Sequence, residues 1–73
     1  MKWKFGSNKP DKPGWYAILI LYDPREGAYA EGEYWNGCNW RNDCSFIVAH
    51  SKDHFESEDA AAKFAKDNNP TPR

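Results

Sequence analysis

The sequence predicts an α+β domain: an antiparallel meander of three or four strands followed by one C-terminal helix packed on one sheet face. Three observations carry that expectation. Residues 15–22 are a run of β-branched and aromatic side chains. Residues 23–27 and 36–37 are turn sequences that divide the middle of the chain into strand-length segments. Residues 57–70 place helix start and stop signals around an alanine-rich stretch.

Residues 1–14 read as a basic N-terminal arm, 15–69 as a single βββα domain and 70–73 as a tail. In the arm, Trp3 and Phe5 share one side of a short extended stretch and Lys2 and Lys4 the other, before Gly6, Ser7, Pro10, Pro13 and Gly14 punctuate the chain. Trp15 to Tyr22 is the strongest strand. Period-two alternation puts Trp15, Ala17, Leu19 and Leu21 on one face and Tyr16, Ile18, Ile20 and Tyr22 on the other, both apolar, which a central strand requires. Asp23-Pro24-Arg25-Glu26-Gly27 is a turn, and Ala28 to Trp35 returns as the second strand. Asn36-Gly37 is a hairpin signal of the type I′ kind, so a third strand is expected from Cys38 through Trp40, broken at Asn42-Asp43 and resumed from Ser45 to His50. Ser57 fits the helix N-cap, Glu58 and Asp59 suit the positive end of the helix dipole, and Asn68, Asn69 and Pro70 end the helix. Its buried stripe is Ala61, Phe64 and Ala65, with Phe55 just upstream.

A chain of 73 residues makes one small domain, which buries only about 60% of the surface of its unfolded chain. Two-domain enzymes and transmembrane spans are excluded at this length. Mean hydropathy is low at −0.98 and 29% of residues are charged, yet four Trp, four Tyr and four Phe make the chain too apolar to stay disordered. One helix covers one sheet face, so the second apolar face needs either Trp3 and Phe5 folded back across it or a docking partner, including a second copy of the chain.

The net charge is −1, unevenly spread: residues 1–14 carry +3, residues 15–50 carry −3 and the remainder −1. A basic arm preceding an acidic body is the reverse of a body built to grip phosphates. No apolar stretch of secretory type comes after the terminal lysines, so a cytoplasmic location with Cys38 and Cys44 as free thiols is expected.

Cys38, Cys44, His50 and His54 form a C-x5-C-x5-H-x3-H series. On one extended strand, however, Cys44 and His50 stand about 20 Å apart, too far for one tetrahedral ion, so no metal and no cofactor is expected. Cys44, His50 and Asp53 are the residue types of nucleophilic catalysis, but nothing in the sequence sets them in a cleft, and an enzyme is not expected. Tyr34-Trp35-Asn36-Gly37-Cys38-Asn39-Trp40 places two indoles on either side of a tight turn, where they either cap the sheet or reach a partner. The expected partner contacts are Tyr34, Trp35 and Trp40 with Glu31 and Glu33 as an acidic rim.

The pattern Trp3, Pro10, Pro13-Gly14, Tyr16, then Tyr34-Trp35-x-Gly37-x-x-Trp40 resembles a family of short phage and prophage proteins of unknown function, over roughly the first 40 residues. That resemblance implies a phage-encoded accessory protein acting on a host or phage protein, with inhibition of a host defence one such action. Phe55-Glu56-Ser57-Glu58-Asp59-Ala60-Ala61-Ala62-Lys63-Phe64-Ala65 is similar to the helix entry of apetala-type and integrase N-terminal DNA-binding domains, which place three strands before one helix and read DNA with the sheet. It implies an alternative function as a sheet-type DNA binder, with Lys2, Lys4, Lys9 and Lys12 gripping phosphates.

Overall fold

The structure, a computed structural model, describes residues 2–41 and 46–70. Among the described residues, four antiparallel strands, β1 (Trp3–Phe5), β2 (Gly14–Ile20), β3 (Tyr29–Trp35) and β4 (Ile47–Ser51), form one open sheet, followed by a single helix, α1 (Glu58–Asp67). The α+β class is as expected, but the path is not a simple meander. The spatial order is β1-β4-β2-β3, so β4 lies beside β2 rather than beside β3, and β1 pairs with β4 at the sheet edge.

The expected alternation of β2 holds. Ala17 and Leu19 join Trp3, Ala28, Ala49 and Ala65 in a core under the helix, while Tyr16, Ile18 and Ile20 join Trp35 and Ile47 in a second core on the opposite face. The helix lies close because β3 offers it Gly32: a Cβ there would stand 2.7 Å from the Glu58 carbonyl oxygen and 2.8 Å from the Ala62 nitrogen. Ala61 and Ala65 are fully buried, and Phe64 packs against Phe55 and Trp3 at ring distances of 5.1 and 5.7 Å. Ser57 is the N-cap and its hydroxyl accepts from the Ala60 N–H, as the sequence predicts.

Two expectations about the chain path are corrected. The first residues do not form an arm apart from the domain, because Trp3–Phe5 is a strand of the sheet. Its register pairs Trp3 with Ser51 and Lys4 with His50, which sends Trp3 to the helix side, where its indole N–H donates to the Asn68 carbonyl at 2.8 Å. Trp3 therefore does not cross the second face, and Phe5 stays exposed. Asn36-Gly37 does not make a type I′ turn, since only Gly37 of the pair has a positive φ (+100°). Instead the Asn36 side-chain oxygen accepts from the N–H groups of Cys38 and Asn39, and Trp35 and Trp40 form an isolated bridge across a four-residue loop. Trp40 is thus not part of a third strand, and the expected break at Asn42-Asp43, like Cys44 and Ser45, lies outside the described residues.

Candidate functional site

The second sheet face has a closed end and an open end, and both hold candidate sites. At the closed end residues 7–13 cross it without regular structure and are pinned by side chains rather than by a ladder. The Tyr16 hydroxyl donates to the Lys12 carbonyl at 2.7 Å, the Trp40 indole N–H donates to the Asn8 carbonyl at 2.7 Å, and Ser7 Oγ lies 3.1 Å from His50 Nε2. His50 is only 3% exposed, and its Nδ1 stands 2.7 Å from the Ser51 carbonyl. A carbonyl can only accept, so Nδ1 carries the hydrogen toward Ser51, and Nε2 shares a hydrogen bond with the Ser7 hydroxyl. Burial is the main cause that raises the Tyr16 phenol above its ordinary pKa, opposed by the bond to Lys12 and reinforced by the charges of Asp11 and Asp53.

Beside these pins a groove of about 720 Å³ is lined by Lys4, Lys12, Lys52, Asp11, Asp53, Tyr16, His50, His54 and Pro10. Its lining comes from β1, the crossing loop, β2, and the end of β4 with the turn after it. Ser51 shapes that turn: its hydroxyl accepts from the Ala17 N–H and donates to the Asp53 carbonyl, and the Phe55 N–H then bonds the Trp15 carbonyl at 2.7 Å. Among the described residues, no three His, Cys, Asp or Glu side chains come together in a group that could hold a metal ion. Cys38 is exposed, and both ring nitrogens of His50 are engaged.

At the open end of the same face, Tyr22 packs against both Tyr29 and Phe46. Their ring centroids lie 4.9 Å apart for Tyr22 and Phe46 and 5.6 Å apart for Tyr22 and Tyr29. Tyr22 is 58% and Phe46 51% exposed. The backbone continues the β2–β4 pairing here through the Leu21 N–H to the Phe46 carbonyl, which fixes the two exposed rings side by side.

The five residues expected as partner contacts do not form one surface. Trp35 is 4% exposed and belongs to the second core. Trp40 is half-buried against it with ring centroids 5.1 Å apart, and Tyr34 is half-buried against Trp15 at 5.2 Å. Glu33 is 4% exposed and its carboxylate bonds Arg41 Nε at 3.0 Å, while Arg41 also reaches Glu58 at 2.9 Å and lies over the Trp15 ring. Glu33 is therefore part of a tie between the β3 edge and the helix, and only Glu31 is an exposed acidic position on β3. The lysines are also divided. Lys4 and Lys12 line the groove, Lys2 donates to the Asn68 side chain at 2.6 Å, and Lys9 is exposed away from the groove lining.

Sequence reasoning missed Lys52 and the Tyr22 and Phe46 pair. The alternation that assigns Tyr22 to the second face is the available signal for the pair; Lys52 carries none, because only the β1–β4 pairing brings it near Lys4. No helix among the described residues is long and apolar enough to cross a membrane. No family model, curated protein or solved structure matches the chain.

Proposed function

We propose that this chain is a small non-enzymatic binding module whose contact surface is the aromatic cluster Tyr22, Tyr29 and Phe46, and whose partner is another protein. The observation that carries the reading is the exposure of two adjacent large aromatics in a chain that packs most of its others. Rings held by a sheet lose little conformational freedom on binding and supply large apolar area, the combination that anchors protein interfaces. The resemblance of the first 40 residues to short phage proteins supports a cytoplasmic accessory role against a host or phage protein. Glu31, two positions from Tyr29 on β3, then stands as a flanking contact, while Trp40, held against Tyr16 and Trp35 at the other end of the face, acts with Trp35 and Glu33 by holding the fold.

The sheet-type DNA-binding alternative has less support. The face opposite the helix, which such domains lay in the DNA groove, is crossed here by residues 7–13 and Trp40. A photoreactive phenylalanine analogue in place of Phe46 tests the protein-binding reading in an extract of host cells. The expected result is one dominant protein adduct that disappears with Tyr22→Ser. A smear no different from the same analogue placed at Glu56 rejects it, and an adduct of twice the chain mass makes the surface a homodimer interface instead.

A further inference from the structure

We infer that the groove at the closed end is a binding site for a small phosphate-bearing ligand, a nucleoside monophosphate or similar sugar phosphate. It is separate from the aromatic cluster: Tyr16 lies near the start of β2 and Tyr22 beyond its other end, past Ile20, which is about 13 Å from Tyr16 at 3.3 Å per residue. Lys4 comes to the groove from β1, Lys12 from the crossing loop and Lys52 from the turn after β4. Among the described residues none of the three has an ion pair or a side-chain hydrogen bond, whereas both Arg25 and Arg41 are paired with carboxylates. Three unpaired ammonium groups around one concavity suit an anion that spreads two charges over three oxygens, which a carboxylate does not. In a chain of net charge −1, this lining is a local excess of positive charge, three lysines against two aspartates.

The remaining lining defines the rest of the ligand. Asp11 and Asp53 can only accept hydrogen bonds when ionised, so they favour hydroxyl or amine donors beyond the phosphate. His54 is exposed, 6.5 Å from the Tyr16 ring, and offers a flat surface for a base or sugar. A volume of about 720 Å³ lies within the range of small-molecule sites and suits a mononucleotide.

The test is a titration of the full chain, monitored by the proton and carbon resonances of the His54 and Tyr16 rings. The probes are inorganic phosphate, adenosine monophosphate and a short single-stranded oligonucleotide, each against chloride at matched ionic strength. Phosphate and the mononucleotide should shift both rings saturably, the mononucleotide more tightly. Combined Lys4→Gln, Lys12→Gln and Lys52→Gln should weaken binding by about tenfold or more, while Lys9→Gln leaves it unchanged. All four positions are exposed, so thermal midpoints should stay close to the parent's; if the triple variant unfolds, Lys52→Gln alone must weaken binding. Shifts no larger than those with chloride, or a triple variant that binds like the parent, overturn the proposal. So does binding of the oligonucleotide without the mononucleotide.

Discussion

The two faces of the sheet bury different sets of residues and are closed in different ways. Under the helix the core is built from small and aliphatic groups, Ala17, Leu19, Ala28, Ala49, Ala61 and Ala65, with Trp3 and Phe64 as the large fillers. On the other face the fillers with polar handles gather: Tyr16, Trp40 and His50, each bonded to the crossing loop. A helix satisfies its own backbone and needs only a smooth surface to lie on. An irregular loop brings unpaired carbonyls, so the side chains beneath it must supply the donors. A loop is also narrower than a helix, which explains why Tyr22 and Phe46 remain open beyond it.

The largest test of this comparison is on β2, where Ile18 and Leu19 are neighbours on opposite faces and both essentially inaccessible. Replacing either with Ala should cost about 3 kcal/mol in chemical denaturation, a large share of the roughly 4–11 kcal/mol that a domain of this length holds. Equal losses would mean that the loop-covered face is as tightly packed as the helix-covered one; a much smaller loss for Ile18→Ala would show a loosely closed face. Next in size, Gly32→Ala strikes the helix side alone. The new methyl meets helix backbone, not a movable side chain, so the helix must shift, at about 2 kcal/mol read as a lowered thermal midpoint.

On the loop side, Ser7→Ala leaves His50 Nε2 without its hydroxyl partner and should cost about 1 kcal/mol. Hydrogen exchange should then speed up in residues 8–12 while the amides of α1 keep their protection. Smaller still is Tyr22→Ser with Phe46→Ser: with both rings about half exposed, stability should change by about 0.5 kcal/mol or less, so lost binding in that variant cannot be ascribed to unfolding. The smallest effect lies in the turn after β2. The Arg25 N–H, and then the Arg25 guanidinium, hold the Asp23 carboxyl below its ordinary pKa. A lowered folded-state pKa gives stability that is present above the ordinary carboxylate value and lost as pH falls through the lowered one. Asp23→Asn should therefore lower the thermal midpoint slightly at pH 7, with the difference from the parent shrinking as the pH is lowered into the acid range.

The local elements were legible because their causes are local. The alternation of β2, the Ser57 cap, the helix stripe and the Asp23 turn each arise from residues a few positions apart. The candidate surface was legible only in part: the surplus of aromatics for a single helix to cover points to the second face, but the sequence pattern favours Tyr34, Trp35 and Trp40 over Tyr22 and Phe46. Composition does not distinguish a buried indole from an exposed phenol. That depends on which end of the face the loop crosses, and this is fixed by the bonds of Lys12 and Asn8 to Tyr16 and Trp40.

By itself, then, the sequence determined an α+β chain with a two-faced central strand, a capped C-terminal helix and more aromatic surface than that helix can cover. Only the tertiary structure decided that β4 inserts between β1 and β2, that Trp3 serves the helix side, and that Lys4, Lys12 and Lys52 share one groove. Strand order and register pair residues up to 48 positions apart, Trp3 with Ser51. They are settled by which pairing buries both faces at once, a property of the assembled sheet that no single segment encodes.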